Sequence, residues 1–252
     1  MKSLIILLLT LFLFPQNSVK DLPIWNPKQG VLIDKSKEGE AQFIVEQQKY
    51  YAMVEKGYEN LSTSEKKFYD NFDETYETYW DVIGMGDSWY DGMEIESVWA
   101  SSHLKSNYKT INYIPHNIHD LDYQTAWVEG VEGYGIGEKI KYSFSSQQPR
   151  ITSIIVVNGY VKSEKAWREN SRVKQLKLYI NGVPTALLNL EDTRNEQIFE
   201  VEPIGNADRE NLEELRTKPN WTLTFEITEV YKGEKYADTA ITEIYFDGID
   251  MY

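Results

Sequence analysis

The sequence contains no cysteine in its 252 residues. Disulfides, cysteine nucleophiles, thiolate-ligated zinc and iron–sulfur clusters are therefore excluded. Any core must cohere by apolar burial, with a bound ion as the available staple. A lipoprotein anchor is excluded too, since it needs a cysteine at its cleavage site. Basic residues are few: 26 Lys and Arg against 40 Asp and Glu leave a formal charge of −14. Such a surface repels phosphate, so no nucleic-acid partner is expected, and only Lys162 to Lys177 is locally basic. Histidine occurs three times, at His103, His116 and His119. The His116/His119 spacing lacks a third ligand of fitting geometry. No G-x-S-x-G nucleophile elbow is present. Gly133-Tyr134-Gly135-Ile136-Gly137 has the wrong spacing for a phosphate loop and sits among Glu129, Glu132 and Glu138.

Long apolar runs are also scarce. Leu4 to Phe14 follows Lys2 and is broken by Pro15-Gln16-Asn17-Ser18, the layout of a secretory signal peptide. Eleven residues reach about half-way across a bilayer core, which needs about 20. Residues 1–18 are thus expected to be removed, leaving an exported protein (periplasmic, cell-surface or secreted) with no transmembrane segment.

What remains is rich in pattern. Residues 19–37 read as an irregular lead-in. From Lys37 to Tyr58, Phe43, Ile44, Gln47, Tyr50, Tyr51 and Val54 recur at helical steps, and Gly57 ends the run. Ser62 and Glu65 have capping-box spacing. Phe68, Phe72, Tyr76 and Tyr79/Trp80 then continue a helical stripe to about Gly84. The spacing predicts a helical hairpin whose aromatic stripe packs on its neighbour, in a helical region spanning 19–96. Beyond Ser97 the pattern changes to short strands: 140–144, 151–157, 173–180, 186–190, 197–201, 221–230 and 241–246, with a short helix inside 208–217. Asn181-Gly182 supplies a hairpin turn. The fold class is mainly β, and residues 97–252 are expected to form one β-sandwich preceded by the small helical segment.

The stretch Asn117-Ile118-His119-Asp120-Leu121-Asp122-Tyr123-Gln124-Thr125-Ala126-Trp127 resembles the N-x-x-D-G-D-x-x-T-x-W loop of discoidin-like (F5/8 type C) galactose-binding domains. Ala100-Ser101-Ser102 and Thr242-Glu243-Ile244 extend the likeness. A closer resemblance is to the domain first described as the translocation domain of streptococcal NAD glycohydrolase toxins. It is carried by Thr125 to Gly130, Gly135-Ile136-Gly137-Glu138, Asn158-Gly159-Tyr160, Asn170 to Lys174 and Tyr236 to Ile244, across about 150 residues. The resemblance implies a galactose-binding-like jelly roll. It also implies a structural cation, such as Ca²⁺, on Asp120, Asp122, Thr125 and Glu243, whose oxygens suit a hard ion. Leu121 stands where glycine is usual, so an ion-free Asx turn is the alternative.

Trp127 is expected in the core rather than as a sugar platform. Tyr160, Trp167 and Arg168 are the candidate ligand residues, because 159–170 reads as an exposed loop and an aromatic beside a guanidinium suits a sugar. In Gly84 to Gly92, Asp87 and Asp91 flank Ser88-Trp89-Tyr90. Relatives with this helical lead-in carry a cysteine pair at the two aspartate positions. A cation or ligand site is one reading of that loop, and a turn anchoring Trp89 on the sandwich is the other. The functional expectation is a non-catalytic module that binds carbohydrate through its loops. The alternative is a protein-interaction, adhesion or toxin-translocation-like module whose partner is a cell-envelope protein. An exported hydrolase using some carboxylate pair is the third.

Overall fold

Alternation decides the strands. In Trp221–Tyr231, Trp221, Leu223, Phe225 and Ile227 are buried and the residues between them are half-exposed, the mark of a strand with one face on a core. A computed structural model describes residues 22–82, 89–90, 95–107, 111–207 and 209–250. The expected signal peptide, Asp87 and Asp91 lie outside them. In chain order the described elements are β1 (Ile24–Trp25), β2 (Lys28–Leu32), α1 (Lys37–Lys56), α2 (Thr63–Tyr69), β3 (Ser97–Ala100), β4 (Trp127–Val128), β5 (Lys139–Phe144) and β6 (Ile151–Asn158). There follow α3 (Glu164–Glu169), β7 (Ser171–Ile180), β8 (Val183–Asn189), β9 (Asn195–Ile204), α4 (Leu212–Leu215), β10 (Trp221–Tyr231) and β11 (Thr239–Gly248).

The fold is a galactose-binding-like jelly-roll sandwich. One layer runs β2-β9-β6-β11; the other contains β8, β7, β10, β5 and β3. Strand β11 belongs to both. Its first residues pair with β4 and run parallel to β7, while Glu243 to Gly248 pair with β6. The main core fills the space between the layers, with Ile154, Val156, Ile244 and Phe246 from one and Tyr142, Leu178, Leu223 and Phe225 from the other.

The N-terminal region differs from its sequence reading. The lead-in supplies two edge strands: β1 runs parallel to β8 (Ile24↔Leu187), and β2 antiparallel to β9 (Lys28↔Ile198). Helix α1 matches expectation, with Ser36 Oγ capping Gly39 N at 3.0 Å and Gly57 (φ 80°) ending it. The capping box at Ser62/Glu65 is present, but α2 stops at Tyr69 rather than near Gly84. Downstream, acidic side chains take the backbone donors that a helix would use. Asp73 Oδ1 accepts from Thr75 N at 3.1 Å, and Asp81 Oδ2 accepts from the N–H groups of Glu77 and Thr78, each at 2.8 Å. The aromatics still pack on α1: Phe72 lies 4.8 Å from Tyr50 and 6.2 Å from Phe43, ring to ring.

A second core lies on the outer face of the β6–β11 layer. Ile155, Val157 and Tyr245 point outward there and are covered by Ile33, Trp80, Val82 and Tyr123. Glu196 ties this cover down, accepting from Tyr123 Oη (3.0 Å), Tyr245 Oη (2.9 Å) and Val31 N (3.1 Å). The sandwich thus has a third layer over one of its faces.

Candidate functional site

The loop 117–127 begins with a 3₁₀ turn, Pro115–Ile118, and ends in β4. Leu121 adopts φ 59°, the left-handed region that glycine favours. The glycine-type turn therefore persists with leucine in it. The surroundings hold it there: Leu121 O accepts from Val82 N and Tyr123 N donates to Trp80 O, both at 2.9 Å. Asp81 and Asp122 form the β-bridge between these segments. Residues 80–82 thus clamp the loop from outside.

Within the turn, Thr125 Oγ1 donates to Asp120 (2.7 Å to Oδ2), and Asp122 Oδ1 accepts from Gln124 N at 2.7 Å. Glu243 reaches the turn from β11, its Oε1 accepting from Asp122 N at 3.2 Å. Glu243 is fully buried, and its Oε2 has no hydrogen-bond partner. Burial above all, with Asp120 beside it, pushes the Glu243 carboxyl well above the usual carboxylate range. Burial also raises Asp122, helped by Asp120 and Asp81. The structure brings all four expected ion ligands into one cluster. Their oxygens suit a hard cation, and the unpartnered Glu243 Oε2 is the atom such an ion would satisfy. The arrangement itself is that of a hydrogen-bonded turn. Among the described residues, no three His, Asp or Glu side chains are disposed as metal ligands.

The turn forms the floor of an open cleft of about 1170 Å³. Of the candidate ligand residues, Tyr160 and Arg168 line it and Trp167 does not. Tyr160 is buried; its hydroxyl donates to Gln124 O at 3.1 Å and accepts from Lys162 Nζ at 2.9 Å. Burial and the nearby Asp122 and Asp120 push that hydroxyl up to about 12. Arg168 is exposed, 3.9 Å from both Glu164 and Glu234. Trp167 is structural. Its Nε1 donates to Asn158 O at 3.0 Å, and the Arg172 guanidinium stacks 4.4 Å from its ring. The loop reading of 159–170 gives way to α3, capped by Ser163 Oγ on Ala166 N at 3.1 Å. One wall was missed from sequence: Lys35, Ser36, Lys37 and Trp80 also line the cleft. The apolar run Val31-Leu32-Ile33 before the helical region and Trp80 at the end of its aromatic stripe were the available signal.

Other residues fall to structure. Trp127 is fully buried and donates to Ser102 O at 2.9 Å. Trp89 is buried in the main core against Phe246, as the anchoring-turn reading of that loop expects. His119 points into the core, its Nδ1 2.9 Å from Ile244 O, and burial lowers it to about 4. His116 instead lines the cleft, so the two histidines do not form a pair. Among the described residues no helix is long and apolar enough to cross a membrane.

Residues 89–247, more than half of the chain, match the model of the NAD glycohydrolase translocation F5/8 type C domain. No curated protein matches the sequence. Among solved structures, the chain is similar to the CBM32-1 and CBM32-2 domains of Clostridium perfringens ZmpB, at 14% identity and TM-score 0.40. That match covers 62% of this chain and 34% of that one, so this chain spans about a third of its length. A CBM32-3 module from a family 31 glycoside hydrolase of Clostridium perfringens matches at 16% identity and TM-score 0.41, over 62% of this chain and 91% of that one. The Clostridium perfringens module CBM32-5, solved in complex with GalNAc-β-1,3-galactose, matches at 11% identity and TM-score 0.41, over 60% and 94%.

Proposed function

This chain belongs to the family of NAD glycohydrolase translocation F5/8 type C domains, and on that premise we propose that it is an exported, non-catalytic recognition module binding carbohydrate in the cleft above the 117–127 loop. The observation that carries this is the cleft itself. Its volume of about 1170 Å³ suits an oligosaccharide. Its lining combines an aromatic, Tyr160, with the long polar donors Lys162 and Arg168. A glycan array followed by calorimetry tests it. Arg168→Ala and Lys162→Ala are expected to weaken binding about tenfold or more without lowering the melting temperature. Trp167→Ala is unsuitable, because it would unseat Arg172. A module that binds no glycan refutes the reading.

A protein-contact role is the second reading. It is favoured by the exposed apolar residues Ile44, Val45, Tyr51 and Val54 on α1. Pull-down of a cell-envelope protein, lost on Ile44→Glu, would support it. A hydrolase has least support, because Asp120 and Asp122 share one turn and are engaged by Thr125 and Gln124.

The cluster of Asp120, Asp122, Thr125 and Glu243 is proposed to hold a structural Ca²⁺ that offsets the repulsion among its carboxylates. An ion that binds only the folded state adds about 2.7 kcal/mol at a hundredfold excess over Kd, several degrees of melting temperature for a chain of this size. Ca²⁺ should raise the melting temperature, a chelator should reverse it, and Asp120→Ala should abolish both effects. Melting that ignores both reagents leaves an ion-free turn.

A further inference from the structure

The N-terminal wall of the cleft, Asp34 to Lys37, lies outside residues 89–247, the span of the family match, yet shares the opening with Tyr160 and Lys162. Lys35 is held in place there. Its ammonium sits 4.3 Å from the Tyr79 ring centroid and 5.4 Å from that of Tyr123, and it donates to the Tyr79 carbonyl. An ammonium has three N–H donors, so two remain. Lys162, on the sandwich side, is likewise fixed, 4.2 Å over the Tyr160 ring and bonded to its hydroxyl. Among the described residues, Lys35, Lys37 and Lys162 form no ion pair with a carboxylate, whereas Arg194 pairs with Asp34 at 3.0 Å and Arg168 lies 3.9 Å from Glu164.

The cleft is also richer in cations than the chain. Six Lys/Arg and six Asp/Glu line it, against 26 and 40 in the whole sequence. Of those carboxylates, Asp34 is paired with Arg194 and Glu164 lies near Arg168, while Glu38 and Glu40 share the N-terminal wall with Lys35 and Lys37 and Asp120 and Asp122 lie in the turn. Two ammonium groups without a carboxylate partner, Lys35 and Lys162, are thus held in position by aromatic rings within one cleft.

We infer that the N-terminal wall sets the specificity of the site, Lys35 and Lys162 together reading the anionic group of an acidic saccharide from opposite sides. This rests on the carbohydrate reading above. Its test is calorimetry on the mature chain with oligosaccharides in matched pairs, such as galacturonate against galactose oligomers and sialyllactose against lactose. The expected result is a preference of about tenfold for the acidic member of at least one pair, shrinking as salt screens the charges. Lys35→Met keeps an unbranched stem for the tyrosine contacts. It should remove most of that preference and leave neutral-sugar binding and melting temperature unchanged, whereas Lys162→Met should remove the preference and also weaken both members of the pair. Should Lys35→Met unfold the wall, Lys35→Arg and the exposed Lys37→Met provide the comparison: the first should keep the preference and the second should reduce it. Equal binding of acidic and neutral members, or a preference untouched by both Met variants, overturns the inference and leaves the carbohydrate reading standing. A protein that binds neither member of any pair overturns both.

Discussion

Strands β10 and β11 lie in one sandwich and carry opposite burial patterns. In β10 buried and half-exposed residues alternate from Trp221 to Thr228, whereas in β11 every residue from Thr239 to Phe246 is buried. The first strand has one face on the main core. The second is covered twice, by the main core and by the outer layer of Ile33, Trp80, Val82 and Tyr123. Burial on both faces favours an apolar run over an alternation, as Ile154 to Val157 in β6 shows. The difference teaches that a polar residue in β10 meets water, while one in β11 must find a partner. Glu243 shows the consequence, a fully buried carboxyl whose Oε1 accepts from Asp122 N while its Oε2 is left without a partner.

The comparison can be broken most severely by removing the cover. A chain cut back to Trp89 keeps that main-core residue but loses β2, Trp80 and Val82, and with them the shield over Ile155, Val157 and Tyr245. It should retain a β-type circular dichroism spectrum, bind a hydrophobic dye and self-associate. A fragment that melts like the full chain and binds no dye would show that the outer layer shields nothing. Next in size, Tyr245→Ala should cost about 3–5 kcal/mol in urea unfolding, as for other large buried side chains. Thr224→Ala, on the half-exposed face of β10, should change stability by about 0.5 kcal/mol or less. Equal costs would mean that the two layers are covered alike. The smallest effect belongs to the helical hairpin. The side chain and backbone of Ser62, aided by Lys56, hold the Glu65 carboxyl down to about 2. A folded value below the unfolded one gives stability that is present above the ordinary 4.5 and lost as pH falls toward 2. Glu65→Gln should therefore melt slightly below the wild type at neutral pH, with the gap closing in acid.

The strands of the sandwich were legible because alternation and turn residues such as Asn181-Gly182 report directly on one-sided burial. Both capping residues, Ser36 and Ser62, act as side chains of their type do, although only the second stood out in sequence. Strands β1 and β2 were not legible: two and five residues long, they gain their pairing from β8 and β9 far along the chain. The second helix was overread because aromatic spacing continues past Tyr69, while Asp73 and Asp81 compete locally for its N–H groups. That Asp120, Asp122, Thr125 and Glu243 meet at one turn was legible through the resemblance, since the loop motif names its own residues. The cleft was legible on one side alone. Tyr160 and Arg168 announced themselves by type, but Trp167 turned inward to stack on Arg172, and no local pattern brings Lys35 into one cleft with Lys162.

Strand β11 joins both layers, and this bears on how the chain folds. Each of its ladder partners in β4, β6 and β7 lies at least 68 residues away in sequence. Contacts so distant are reached only after a large loss of chain entropy, and topologies dominated by them fold slowly. Without β11 the two layers have no common strand, and Ile154 and Val156 lose their cross-strand neighbours Phe246 and Ile244. Closure of the sandwich thus requires one ten-residue segment.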